Sequence, residues 1–443
     1  MSSLASLATP LRTLLTTTAD AVLRECGAVK RTRKVSSAVL AQTLILGWLA
    51  MPHASLSQLV HLAALRDVRI TPQALDQRFT EALATSLAQL LGRAVQAAIV
   101  TGEPSSIPLL RRFSGVYVLD TTTIALPPEA AEVWPGAGGH GTAGRAALKV
   151  GVRLDLVGGG LEGPLLQPGR AQDRASPLQE EPLPTGSLRL ADLGFFTLAT
   201  LRRIGDAASF WLTRLRHDVV VVDQQGERID DLTTWLAGAA GPDGVVDAWI
   251  TLGVRERLPA RLVAWRVPQE VGDGRRRRAR RHAQRQGRTP RADRLARDDW
   301  TILVTNVTGE RADVDELRVL GRARWQIEMR FKCWKQHGAL AVSRSTKPWR
   351  VVAEVYAKLI GCLISHWLLV AGGWTIDTSL MQAVQAVRDR IILVVEALDR
   401  PRALRHALAR IGDTLSARCS RTTRRKRPNA CQILRDPALG GVA

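Results

Sequence analysis

The first hundred residues carry their apolar positions at a helical period. Apolar side chains recur three and four apart across residues 39–50 and again across 81–100, which predicts a helix in each. Between them Ser55 and Thr71 stand where N-caps stand, ahead of two short helical runs parted by a polar break at residues 66–69, a pattern that resembles a helix-turn-helix. Any small helical bundle offers such pairs, so both readings stay open. From Gly115 the period changes. Residues 115–119 predict a short buried strand ending at Asp120, residues 148–157 and 161–167 two more around a turn at 158–160, and residues 188–191 a fourth ending at Asp192. Gly194 then opens a helical run. Strands mixed with helices in this way imply an α/β core over about 110–210.

From Phe210 to Val267 four apolar, β-rich runs separated by turn clusters at 223–228 and 240–244 predict an inserted β-subdomain. An Arg-rich stretch up to Asp299 comes next and reads as a mobile basic loop or a poor helix. Residues 301–307 are one more buried strand, residues 317–336 a long helix that Asp313 or Asp315 is placed to cap, and the rest from about 350 is helical, ending in a basic tail at 420–428. Five regions result: a helical, DNA-binding region 1–110, a first part of the core 111–209, a β-rich insertion with its basic stretch 210–298, a second part of the core 299–345, and a helical region 346–443 suited to dimerisation.

Charge narrows the partners. Lys and Arg number 62 against 41 Asp and Glu, a formal charge of +21, which suits a polyanion, nucleic acid first among them; a ribosome-associated or membrane-surface role is the alternative. Nearly all of that charge is Arg. Lys occurs at only eight positions, so Lys332 and Lys335, three apart, stand out, because an ammonium and a guanidinium are not interchangeable at a phosphate. The five cysteines, at 26, 333, 362, 419 and 431, form no C-x-x-C pair and read as reduced thiols of a cytoplasmic protein. The N-terminus lacks a charged segment followed by a continuous apolar run, so no secretory signal is expected. The longest apolar stretch, 359–373, is short for a membrane span and reads as a buried helix.

Chemistry concentrates in residues 317–336, LRVLGRARWQIEMRFKCWKQ. Leu317, Leu320, Ile327, Phe331 and Trp334 form an apolar stripe, and at about 100° per residue Gly321, Arg324, Glu328 and Lys335 fall on one polar face. Taken alone, that face is equally an ordinary solvated one. Upstream, however, Asp120 and Asp192 each end an expected strand, where a side chain projects from a sheet edge into a cleft. Two carboxylates of that kind and a helical glutamate, in a strongly basic chain, suit metal-dependent phosphoryl transfer, because their oxygens hold hard divalent cations.

The segment resembles the glutamate region of bacterial DDE transposases of the insertion sequence four family, whose signature is Y-x-x-R-x-x-x-E-x-x-x-x-x-x-K. Arg324, Glu328 and Lys335 match at the right intervals, with Gly321 in the Tyr position, and LDTTTI around Asp120 and LADLGFF around Asp192 are similar to the family's two Asp motifs. The resemblance covers about 115–340. It implies an RNase H-like mixed sheet core interrupted by the β-rich insertion and flanked by helical regions. It further implies two Mg²⁺ or Mn²⁺ ions held by Asp120, Asp192 and Glu328, two protomers on two transposon ends, hydrolysis to a free 3′-hydroxyl, and transfer of that end to target DNA. Arg324 and Lys335, with Lys332, are then phosphate contacts, and Trp300 matches a Trp that stacks on a flipped base; packing on the core is its other reading. Lys149 is a further DNA-contact candidate, and Arg275, Arg276, Arg277 and Arg278 are expected to track DNA backbone without reading sequence. Two rivals remain at this point. A tyrosine recombinase is suggested by His282, Arg285 and Tyr356, and a DNA-binding regulator derived from an inactive transposase would share the whole pattern.

Overall fold

A computed structural model of the chain describes residues 4–29, 35–97, 102, 104–137, 146–376, 378–419 and 428–438. Most of the basic tail, residues 420–427, lies outside them. The chain folds as two compact units: residues 1–106, 119–171 and 325–424 make the first, and 107–118, 172–324 and 425–443 the second.

The chain opens with α1 (Ala8–Thr13), which runs through a π-helical turn at Leu14–Thr18 into α2 (Ala19–Glu25). Then come α3 (Ser37–Ala50), α4 (Leu56–Ala64), α5 (Pro72–Asp76) and α6 (Glu81–Ala97). Ser55 caps α4 in a reciprocal box with Gln58, and Thr71 caps α5 by accepting from the Ala74 N–H, the two caps expected from the sequence. Helix α3 is buried on nearly every side, and Gly47 is what lets it approach α4. A Cβ there would stand 2.5 Å from Leu59 Cδ2.

Strand β1 (Val116–Leu126) is longer than expected, because Thr121, Thr122 and Thr123 are β-branched and carry the extended backbone past Asp120. It is followed by β2 (Ala146–Asp155) and β3 (Leu161–Pro168), an antiparallel pair with an irregularity between Gly151 and Arg153. Next are β4 (Leu188–Ala191), α7 (Leu198–Asp206), β5 (Phe210–Arg214) and β6 (Val221–Val222), then α8 (Leu232–Ala239), β7 (Val245–Leu252) and β8 (Leu258–Arg266). Helix α9 (Gln269–Arg285), α10 (Ala292–Ala296), β9 (Trp300–Thr305) and α11 (Val314–Ala323) complete the middle of the chain. The last elements are α12 (Trp325–Gln336), α13 (Pro348–Ala371), α14 (Leu380–Ala397), α15 (Pro401–Arg418) and α16 (Ala430–Arg435).

The strands form a mixed sheet in the order β3-β2-β1-β4-β5-β9-β8-β7-β6, with β4 parallel to β5 and β5 antiparallel to β9. Because β8 also pairs with β9, the β-rich segment between β5 and β9 continues the sheet. Around it Phe196, Trp211, Leu236, Leu262 and Val304 form a buried cluster of the second unit.

Two expectations are sharpened. Of the two readings of the Arg-rich stretch, loop or poor helix, the helix holds over Gln269–Arg285, α9, since Arg is a good helix former and needs no apolar stripe to be one; Arg275 also ties it to β9 by donating to the Trp300 carbonyl at 2.8 Å. The helix read through residues 317–336 is two helices, divided at Arg324. No proline marks the division, so the apolar period runs straight across it.

In the first unit α13 is the central element, packed on α3, α6 and α14. It is long and apolar enough to cross a bilayer, yet 94% of its apolar window is buried by the protein's own helices. His366 on α13 is 2% exposed, and burial holds its imidazole well below the usual 6.5. The folded state therefore refuses a proton that the unfolded chain takes up near pH 6.5, and stability falls as pH drops through that value. A His366→Gln variant should remove this contribution, up to about 1.4 kcal/mol for each pH unit below 6.5. Urea midpoints of both proteins at pH 7.5 and pH 5.5 measure it, and an equal acid loss in the two would refute it.

Candidate active site

Asp120 lies within β1 rather than at its end, half-buried, with one carboxylate oxygen accepting the Thr121 N–H at 2.8 Å. Glu328 belongs to the same unit and sits in the first turn of α12, where the helix dipole favours a negative charge. It too is half-buried, because α12 turns Ile327, Arg330, Phe331, Cys333 and Trp334 inward and leaves Glu328 beside that face. At the other end of α12, Lys335 donates to the Thr123 carbonyl on β1 at 3.1 Å. Burial lowers its ammonium from the ordinary lysine value. Lys335 thus joins helix to strand, three residues along β1 from Asp120. Lys332 is exposed on the same helix.

Asp192 lies in the second unit, at the end of β4 as expected. It is exposed and caps a short 3-10 turn, Leu193–Phe195, through the Leu193 N–H. In the same unit Asp313 caps α11 in a reciprocal box with Glu316, and Arg112 grips the Glu316 carboxylate with both terminal nitrogens, at 2.7 and 2.6 Å. That geometry fixes the start of the helix that delivers Arg324, the half-buried residue at its C-terminal end. Gly321 stands where the family signature carries Tyr. Helix α11 lies so close to β9 there that a Cβ would be 3.3 Å from Leu303 Cδ1, so the smallest residue suits the contact.

The other expected contacts divide by burial. Lys149 on β2 is half-buried and donates to the Ala171 carbonyl. Arg275 is held by the Trp300 carbonyl and the Thr301 hydroxyl, and Arg276 by Asp273 and Asp299, whereas Arg277 and Arg278 are exposed. Trp300 is 5% exposed and packs in the second unit's core, with the Arg266 guanidinium 5.0 Å from its ring centre. Tyr356, the nucleophile a tyrosine recombinase would need, is buried; its hydroxyl accepts from Trp134 Nε1 and burial pushes its pKa up to about 12. The sequence pattern did not single out Trp325. It opens α12 between Arg324 and Glu328 and is 55% exposed, and only its break from the apolar stripe would have flagged it.

All three carboxylates are hard oxygen donors, the type that Mg²⁺ and Mn²⁺ take. Among the described residues, no three His, Cys, Asp or Glu side chains are gathered closely enough to hold a metal ion. The donor chemistry of the three carboxylates thus fits such an ion.

Residues 111–364, more than half of the chain, match the transposase DDE domain family. The chain belongs to the DDE transposase family. It is an enzyme of DNA transposition. The match begins just before β1 and ends within α13, so Asp120, Asp192, Arg324, Glu328 and Lys335 all lie inside it. Along nearly its whole length this DDE transposase is also similar to bacterial relatives. The transposase for insertion sequence element IS231F of Bacillus thuringiensis subsp. israelensis is 23% identical, over 88% of this chain and 87% of that protein. The transposase for insertion sequence element IS231B of Bacillus thuringiensis subsp. berliner is 24% identical, over 94% and 91%. The transposase for insertion sequence element IS1151 of Clostridium perfringens is 23% identical over 70% of each chain.

Proposed function

We propose that this transposase cuts at the ends of its element and joins the freed 3′-hydroxyl to target DNA, with Asp120, Asp192 and Glu328 as its catalytic carboxylates. The observation that carries this reading is the Lys335 bond to the Thr123 carbonyl. From that bond, Glu328 is seven residues back along α12, about 10 Å at helical rise. Asp120 is three residues back along β1, about 10 Å at strand rise. The equal spans suit a glutamate delivered beside the strand's aspartate. Asp192 is the third carboxylate, and the domain that carries them is an RNase H-like core made of β3-β2-β1-β4-β5 and α12, with the segment between β5 and β9 as its insertion.

Together the three would hold two Mg²⁺ or Mn²⁺ ions, which when bound supply activation of an attacking oxygen and stabilisation of a leaving one. The chain's own cations then do the positioning. Arg324 and Lys332 meet phosphates flanking the cut, Lys335 holds α12 to β1 and reaches the backbone with its remaining donors, and the exposed Arg277 and Arg278 track the duplex. The bond from Arg275 to the Trp300 carbonyl makes that arginine, with Arg276, a support for α9 instead. Trp325 offers an exposed ring for stacking beside the cut. The helices of residues 1–110 bind the element's ends, two protomers pair on two ends, and the protein works in the cytoplasm on the nucleoid. The buried, hydrogen-bonded Tyr356 speaks against a recombinase that attacks through tyrosine.

Incubating the purified protein with Mg²⁺ and a labelled fragment carrying its element's own ends tests the reading. Cleavage at the ends to free 3′-hydroxyls is expected, and binding without any cleavage would favour an inactive regulator. In the same assay Arg324→Ala and Lys335→Ala should weaken end binding and flatten the slope of log affinity against log salt by somewhat less than one, as one lost phosphate contact does. Unchanged slopes would remove both from the interface.

A further inference from the structure

The first unit contains a cavity that the transposition chemistry does not use. It is a narrow cavity among α3, α12, α13 and α14, lined in part by Trp48, Leu49 and Pro52. Apolar side chains such as Trp334, Leu369 and Val384 share the rest of the lining with polar ones. Arg330 lines it at 2% exposed, and no hydrogen bond or ion pair to its guanidinium is present among the described residues; the group stacks on Trp374, 4.7 Å from the ring centre, and its Nε is buried without a partner. Ser365 Oγ, Arg388 Nε and both ring nitrogens of His366 are likewise buried without partners, although the Gly159 backbone stands near the imidazole. No Asp or Glu lines the cavity among the described residues. Lys358, the remaining cation in its wall, is already paired with Glu354 at 2.7 Å.

A buried guanidinium with no counter-charge costs several kcal/mol, and orphaned donors around it add to that cost. An anion placed among them removes both penalties at once. Arg330 and Arg388 supply charge, and the Ser365 hydroxyl and a neutral His366 ring supply directional donors. We propose that this cavity is a binding site for a small inorganic anion, of halide to phosphate size, held between Arg330, Arg388, Ser365 and His366. The apolar wall and narrow space exclude a nucleotide or a DNA backbone. Because Arg330 sits two residues beyond Glu328 on α12, an occupied site also fixes the helix that carries Glu328 and Lys335. The inference does not depend on which carboxylates perform the cleavage.

Thermal unfolding of the full chain in sodium gluconate, with chloride or inorganic phosphate replacing gluconate at constant ionic strength, reads the site directly. One of the two small anions should raise the midpoint saturably by several degrees, as a ligand of the folded state must, and Arg330→Met should lose that rise. Where Arg330→Met does not fold, crystals of the wild-type protein soaked in bromide decide. Anomalous density within hydrogen-bonding distance of Arg330 and Ser365 supports the proposal. Density for water alone, or a midpoint indifferent to the identity of the anion, overturns it.

Discussion

Replacing Asp120, Asp192 or Glu328 by Ala should each reduce end cleavage by on the order of a thousandfold or more while leaving end binding close to wild type. Loss of one metal-holding carboxylate removes several kcal/mol of transition-state stabilisation, and each 1.36 kcal/mol is a factor of ten in rate. On the proposed assignment, binding draws on other groups, namely the exposed cations of α9 and α12 and the N-terminal helices. Removing a negative charge near phosphate should tighten binding slightly if it changes it at all. The measurement is single-turnover cleavage of labelled end fragments, with a mobility-shift titration run in parallel. Any of the three variants that cleaves at wild-type rate removes that residue from the catalytic set, and a parallel collapse of binding would assign it to folding.

The second large effect concerns stability. Lys358 on α13 is 3% exposed; its ammonium pairs with Glu354 at 2.7 Å and donates to the Ala339 and Val342 carbonyls at 2.9 and 2.7 Å. Glu354 also accepts from the Ser343 hydroxyl at 2.8 Å. One buried pair thereby holds the turn after α12, where Ala339 adopts a left-handed backbone with φ of 46°. Lys358→Met should cost about 3–5 kcal/mol, because it strands a buried carboxylate and two carbonyls. Adding Glu354→Gln to it should recover part of the loss, since the buried charge is then gone. Urea unfolding of wild type, single and double variants measures both steps. A single-variant loss below about 1 kcal/mol would mean that water reaches the pair and screens it as at a surface.

How far the sequence carried the fold depends on what signals each element sends. Asp192 was legible because a short apolar run stops at a residue that caps the next turn, and local chemistry writes both facts. The Ser55, Thr71 and Asp313 caps were legible for the same reason. The full reach of β1 was hidden behind Asp120, which looks like a terminus until the three β-branched threonines after it are given weight. Helix α9 was only half-read, since its stability rests on Arg propensity and on bonds to Asp299 and Trp300 that hydrophobic periodicity does not register. The division at Arg324 left no trace in the apolar spacing. Helix α8, capped by Asp231 through Thr233 and Thr234, was lost in a block read as β-rich.

The site obeys the same rule. The order of two aspartates and a glutamate, with Arg324 and Lys335 at fixed intervals, can be read from the chain alone. What Lys335 touches cannot be, because its partner is a backbone carbonyl more than two hundred residues away. Trp325 and Arg330 show the limit from both sides. They are five residues apart on one helix, yet the first is 55% exposed and the second 2% exposed, a difference that tertiary packing decides.

The most direct test of the catalytic assignment is the position of bound metal. Crystals of the protein assembled on its element's end DNA, grown with Mn²⁺, should give two anomalous peaks about 4 Å apart, bounded by the carboxylates of Asp120, Asp192 and Glu328 and by a phosphate at the end. Manganese held by other residues, with any of these three carboxylates standing away from it, would contradict the assignment.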